Sequence, residues 1–320
     1  MSTITNIRTK SQLQPEASAE TVYTRRARYF DSENAFNIVY PDVPPASFIA
    51  ERDAALDPAT ETVLIRCDQS GAMGLPFPAT SPLVLAAYAR VRAGESLRLD
   101  PRASVVLAYV IEGAGRVVQG SDVIAWSSGD VFSLPGGRSI ELSSAGTDSV
   151  LWLVTNEPQL AFERFAPPGP AEALVEPVHF PAATIAEEVE RTRAKLAGRR
   201  VAGLAVVFAS ERLVERRNIS PSLTLAMNQL EPHGMQAPHR HNSVAVSLAI
   251  TGRACYSMVD GARKDWLPYV TMVTPPTSVH SHHNQGDVLA NWLIVQDGGL
   301  HYHCRTMGFR FEDQEPSARS

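Results

Sequence analysis

Three cysteines in 320 residues, Cys67, Cys255 and Cys304, are too few, too far apart and odd in number for a disulfide framework. None forms a CxxC pair, so a thiolate zinc site is excluded as well, and a reducing compartment fits. Long apolar runs are also missing. The longest, residues 201–209, contains a glycine and is far too short to span a bilayer, and residues 1–18 are polar with no signal-like apolar segment. A cytoplasmic protein is expected. The net charge of -5 is spread without runs of one sign, which leaves no basic footprint for nucleic acid and no polybasic patch for a membrane. What remains is work on small molecules.

With 44% hydrophobic residues, a chain of this length can bury one large core or two ordinary ones. Residues 1–80 are rich in turn formers, such as Asp42-Val43-Pro44-Pro45, and are read as an N-terminal arm. From Leu83 onward short β-branched segments alternate with glycine turns, the pattern of an antiparallel barrel over 81–165. A linker over 166–200 opens with Ala166-Pro167-Pro168-Gly169-Pro170. Within it, residues 182–197 carry Ile185, Val189 and Leu196 at helical spacing, with Gly198 as the stop. Strand-like runs resume over 201–312, and 313–320 are expected to be a disordered tail.

The second half repeats the texture of the first. Gly113 matches Gly252 and Pro135 matches Pro275, so two tandem all-β barrels are expected. Counting from these marks sets His239 and His241 against Asp100 and Arg102, and His280 against Ile140. The first barrel lacks the histidines and is expected to be metal-free.

Eight of the nine histidines fall between His233 and His303. Residues i and i+2 of a strand share a face, so His239 and His241 project together while Arg240 points away. His280, from another strand, completes a face of three nitrogens and leaves roughly three positions of an octahedral ion open. Open positions mean catalysis rather than scaffolding. His282 shares the face of His280 and is either a proton-transfer or hydrogen-bonding group beside the metal or a surface residue; His283 is open in the same way. His233, His301 and His303 read as structural.

The segments Pro238-His239-Arg240-His241, Gly252, Val259-Asp260-Gly261, Thr274-Pro275, His280-Ser281-His282-His283-Asn284 and Asn291-Trp292-Leu293 resemble the motifs of the bicupin gentisate dioxygenases, a family with salicylate and 1-hydroxy-2-naphthoate members. Many cupins place a glutamate shortly after HxH. Here Val244, Ala245 and Val246 stand there, as in the three-histidine subgroup.

The resemblance implies two double-stranded β-helix (jelly-roll) barrels, Fe(II) on His239, His241 and His280, a chelating substrate and dioxygen. It implies oxygen-dependent C–C cleavage of a small hydroxylated, aromatic acid by an extradiol-type enzyme. His282 then orients or deprotonates the substrate hydroxyl, Asn228 supplies a substrate-binding amide, and the chain assembles as a homo-dimer or tetramer. Three positions depart from the family. Ser247 replaces an arginine that pairs with the substrate carboxylate, Ile294 replaces an acidic residue, and Tyr269-Val270 replaces Gly-Asp. A serine does not substitute for a bidentate guanidinium, so either another cation (Arg90, Arg92, Arg98 or an arm arginine) binds the carboxylate, or the substrate differs. Two other readings keep the fold: a Mn, Ni or Zn cupin acting as isomerase, lyase or hydrolase on an oxygen-rich molecule, and a non-catalytic ligand sensor.

Overall fold

The structure, a computed structural model, describes residues 21–197 and 203–312. The first twenty residues of the expected arm, the Gly198 stop and the tail 313–320 lie outside the described residues. Residues 21–42 belong to a unit of their own. It holds two short helices, Val22–Arg26 and Ser32–Ala35, whose first turns are capped by the side chains of Thr21 and Asp31.

From Val43 onward the chain builds two barrels, each of two antiparallel sheets. In the first, six strands lie in the order 178–180, 131–135, 105–112, 149–155, 85–91 and 63–66, opposite the four strands 96–99, 140–144, 114–119 and 122–127. In the second, the order is 47–48, 271–274, 245–251, 290–296, 224–230 and 204–207, opposite the five strands 262–265, 255–259, 280–284, 235–241 and 309–311. The tandem all-β reading therefore holds. The stretch 1–80, read as one arm, is divided instead: Ser47–Phe48 pairs with the second barrel at Thr271 and Met272, and Val63–Arg66 pairs with the first at residues 87–90. The helix expected over 182–197 is Ala182–Leu196. Among the described residues no helix is long and apolar enough to cross a membrane.

Strands Leu85–Val91 and Ser149–Thr155 are buried at every position, because both of their faces are covered. Ala89, Val91, Leu151 and Leu153 point into the first barrel, with Trp126 and Phe132 stacked inside it. Ala86, Tyr88, Val150, Trp152 and Val154 point the other way and join Leu225, Met227, Val246, Leu248 and Leu293 of the second barrel in one core. A polar knot sits within that apolar layer. The Tyr88 hydroxyl lies 2.7 Å from Thr271 Oγ1 and accepts from the Thr271 N–H, while the Trp152 indole N–H donates to Thr271 Oγ1 at 2.9 Å.

Side chains fill the first barrel except for a small hollow of about 80 Å³ beside Leu99 and Ile140, whereas in the second Trp266, Met272, Trp292 and their neighbours fill only one end. The other end is a cavity of about 400 Å³. Strand pairing also corrects the internal alignment. Leu99 pairs with Ile140 just as His239 pairs with His280, so the equivalent of His239 is Leu99 rather than Asp100. Counting along the chain missed this by one residue, which in a strand turns a side chain to the opposite face. Asp100 accordingly lies on the exposed side, at the outer limit of ion-pair distance from Arg98.

Candidate metal centre

Strand Met235–His241 carries His239 and His241, and its neighbour His280–Asn284 carries His280. A register irregularity between Gln236 and His239 contains Pro238, which has no N–H to give to a regular ladder. Arg240 points outward, as the alternation requires, and forms an ion pair with Glu312. The three imidazoles are buried, and one nitrogen from each lies within 4.8 Å of the others.

Local backbone decides which nitrogen that is. Nδ1 of His239 lies 2.8 Å from the Ala237 carbonyl, Nδ1 of His241 2.8 Å from that of Ser243, and Nδ1 of His280 2.9 Å from that of Ser278. A carbonyl only accepts, so each Nδ1 carries the proton and each Nε2 turns its lone pair toward the cavity. Burial lowers the basicity of all three, to about 4 for His241 and about 3 for His280, with neighbouring imidazole charge adding to the effect in the latter two. Three neutral nitrogens without carboxylate or thiolate suit a borderline divalent ion such as Fe, Mn, Ni or Zn. The residues fit the expected metal.

One consequence is a pH dependence of the metal-free fold. In the unfolded chain these imidazoles titrate near the ordinary value of about 6.5. Below that pH the unfolded state binds more protons than the fold, so stability is full above about 6.5 and falls as the pH drops toward 4. Chelator-treated protein is expected to melt several degrees lower at pH 5 than at pH 7.5. Equal melting temperatures would contradict neutral burial of the three rings.

His282 is buried against the same cavity. Its Nδ1 lies 2.8 Å from Ser257 Oγ, and the Trp266 indole N–H donates to the same oxygen at 2.8 Å. Trp266 has no acceptor to offer, so the Ser257 proton is satisfied only by pointing at His282 Nδ1. The opposite arrangement strands a buried hydroxyl proton, at a cost of about 1–3 kcal/mol. Burial and the neighbouring rings hold His282 neutral, and its single proton therefore sits on Nε2. It is arranged to donate a hydrogen bond.

Asn228, from strand Thr224–Leu230, reaches the cavity, and so do Ser247 and Ile294, two of the positions that depart from the family pattern. Several lining residues escaped the sequence reading. Gln296 places its amide nitrogen 3.2 Å from His241 Nε2, and it follows Ile294 by the strand period of two, a signal that was legible. Gln236 stands three residues before His239, and an added Cβ on Gly203 would meet its amide at 3.0 Å. Tyr302, Met307 and Phe309 close one wall from the C-terminal segment, and nothing in their local sequence marks them.

The remaining histidines lie elsewhere. His283, on the opposite face of its strand, stacks on Tyr256 at 4.5 Å. His233 lies 3.0 Å from Asp287, and His301 lies 3.0 Å from the Asn242 amide. None of these, nor His303, lines the cavity.

The expected substitute for the missing arginine is corrected too. Arg90 is buried on the face of its strand that it shares with Tyr88, outside the interior of the first barrel, donating to the carbonyls of Thr60 and Ala55 and paired with Asp148. Neither Arg92 nor Arg98 lines the cavity, and no described lining residue carries a formal charge.

No family model matches the chain. It is 30% identical over 90 residues to a gentisate 1,2-dioxygenase of Ralstonia sp, covering 28% of this chain and 25% of that protein. It is 32% identical over 97 residues to a 1-hydroxy-2-naphthoate 1,2-dioxygenase of Nocardioides sp. (strain KP7), covering 30% and 25%. These matches span about a quarter of the length of the curated relatives. The solved salicylate 1,2-dioxygenase of Pseudaminobacter salicylatoxidans superposes with a TM-score of 0.69 at 14% identity, covering 86% of this chain and 91% of that one. The structure of its adduct with gentisate gives 0.69 at 13% identity, covering 88% of each chain.

Two fused antiparallel barrels, one with a three-imidazole face, define a bicupin. Among bicupins, the chain shares the fold of a salicylate 1,2-dioxygenase, and part of its sequence is similar to a gentisate and a 1-hydroxy-2-naphthoate dioxygenase.

Proposed function

We propose that the chain is an Fe(II)-dependent dioxygenase that cleaves a C–C bond of a small hydroxylated, aromatic acid. The supporting observation is the set of three neutral Nε2 donors, within 4.8 Å of one another, at the wall of a 400 Å³ cavity. His239, His241 and His280 hold the metal. When bound, Fe(II) supplies the one-electron chemistry that dioxygen needs and a charge that attracts two anionic oxygens.

The chain's own groups do the rest. A ligand set with no negative charge leaves the dication uncompensated, which selects an anionic bidentate substrate such as a hydroxy-carboxylate. His282 donates from Nε2 to a substrate oxygen and holds charge there. The amides of Asn228 and Gln236 and the Ser247 hydroxyl offer neutral contacts in place of the family arginine, and Phe309 and Ile294 supply apolar walls. A homo-oligomer in a reducing cytoplasm completes the reading, consistent with three unpaired cysteines.

Anaerobic loading with Fe(II), followed by oxygen uptake with a panel of hydroxybenzoates and hydroxynaphthoates, tests the proposal. Uptake with at least one chelating acid is expected; no uptake with any removes ring cleavage. The uncharged cavity lining also suits a second reading, a Mn, Ni or Zn Lewis-acid cupin acting as isomerase, lyase or hydrolase. Turnover under argon by protein carrying zinc would select it.

Ser257→Ala is expected to lower kcat about tenfold with a smaller change in KM and full metal content, because His282 loses the hydroxyl that fixes its tautomer. Ser257→Thr keeps that hydroxyl and should restore most of the rate. Loss of metal in Ser257→Ala, or no rescue by threonine, would make Ser257 merely a packing residue.

A further inference from the structure

The first barrel carries a cleft of its own, about 470 Å³ in volume and lined by Arg66, Arg102 and Arg164. Arg66 ends strand Val63–Arg66, Arg102 lies in the turn after Ser96–Leu99, and Arg164 caps the helix Glu157–Glu163. Three segments far apart in sequence thus bring three exposed arginines to one concave surface.

Carboxylates offset their charge only in part. The one carboxylate lining the cleft, Glu157, accepts from the Arg102 backbone N–H at 3.1 Å and from the Thr155 hydroxyl at 3.2 Å, and pairs with no guanidinium. Asp68 feels the charge of Arg66, but one of its oxygens accepts from the N–H groups of Ser70 and Ala79. Among the described residues, none of the three arginines has an ion pair or a side-chain hydrogen bond. The turn bearing Arg102 is held besides by Asn156, whose Oδ1 accepts from the Ser104 N–H at 2.9 Å.

The rest of the cleft is apolar, with Phe77 and a largely exposed Phe165 among its walls. It adjoins a small hollow that shares Arg66, Leu85 and Glu157 and reaches Leu99 and Ile140. Those are the positions that carry His239 and His280 in the second barrel. Where one barrel offers metal ligands, the other offers hydrocarbon beside a cationic rim.

We propose that this cleft binds a small organic acid, with its carboxylate held by Arg66, Arg102 and Arg164 and its apolar body against Phe77 and Phe165. Guanidinium forks match a carboxylate bidentately, and a concave site of this size with few polar anchors suits a ligand of one or two rings. The site needs no metal and does not depend on the reaction assigned to the second barrel.

Calorimetric titration of the full chain with benzoate tests it, run on the protein as purified and on His280→Ala, which takes chelation at the metal centre out of the reading. Saturable binding of one benzoate per chain is expected to persist in His280→Ala. It should weaken about tenfold or more in Arg66→Ala/Arg102→Ala, with benzyl alcohol and inorganic phosphate each binding similarly less well than benzoate. Arg66→Gln and Arg102→Gln, made singly, give the same reading through smaller losses if the double variant does not fold. Absence of saturable binding in His280→Ala overturns the proposal, as do folded arginine variants that bind like the parent. Phosphate binding as tightly as benzoate would show a bare anion site and overturn it too.

Discussion

His280→Ala should purify with almost no metal and lose turnover by at least about a thousandfold. The ligand set is three neutral nitrogens, with no fourth histidine, cysteine or carboxylate grouped with them among the described residues, so deleting one leaves two imidazoles and no charge to hold a dication. The fold is expected to survive, because the hydrogen bond lost with the ring is a local one to the Ser278 carbonyl. Metal per chain, measured after dialysis, reads the effect directly, and an unchanged melting temperature in chelator separates it from unfolding. His282→Ala provides the contrast. It removes a donor beside the metal rather than a ligand, so metal content should stay full while kcat falls. A His280→Ala protein with full metal content would show that the three rings do not converge on one ion.

The largest loss of stability should come from the layer between the barrels. Trp152 is 2% exposed, packs in the core shared by both barrels and donates its indole N–H to Thr271 Oγ1 at 2.9 Å. Trp152→Ala removes that donor and leaves a cavity that neither sheet can close without breaking its own ladder. A destabilisation of about 3–5 kcal/mol is expected, measured by chemical denaturation. Trp152→Phe keeps most of the volume and should cost clearly less. If the alanine variant lost under about 1 kcal/mol, the two barrels would not depend on a common core.

Much of the metal centre was legible because imidazole chemistry and strand alternation are both local. HxH on a strand puts two nitrogens on one face whatever surrounds it, and the nearby carbonyls of Ala237, Ser243 and Ser278 set the tautomers. Asn228, Ser247 and Ile294 came through the family resemblance, which carries over wherever strand spacing is kept. Arg90 shows where such reasoning stops. Its sequence context does not reveal that Asp148, Thr60 and Ala55 hold the guanidinium outside the cavity lining.

The pairing of Leu99 with Ile140 was likewise out of reach of residue counting, since one slipped residue reverses which side chain faces inward. So were Tyr302, Met307 and Phe309, which close the cavity from the far end of the chain.

By itself the sequence determined the two-barrel β architecture, the residues able to hold a metal and the face they share, because hydrophobic alternation and ligand chemistry are written residue by residue. Only the tertiary structure decided what faces that metal, which arginines are committed elsewhere and where a second cleft opens. Those depend on segments remote in the chain meeting across sheets, and no local pattern encodes which of them will meet.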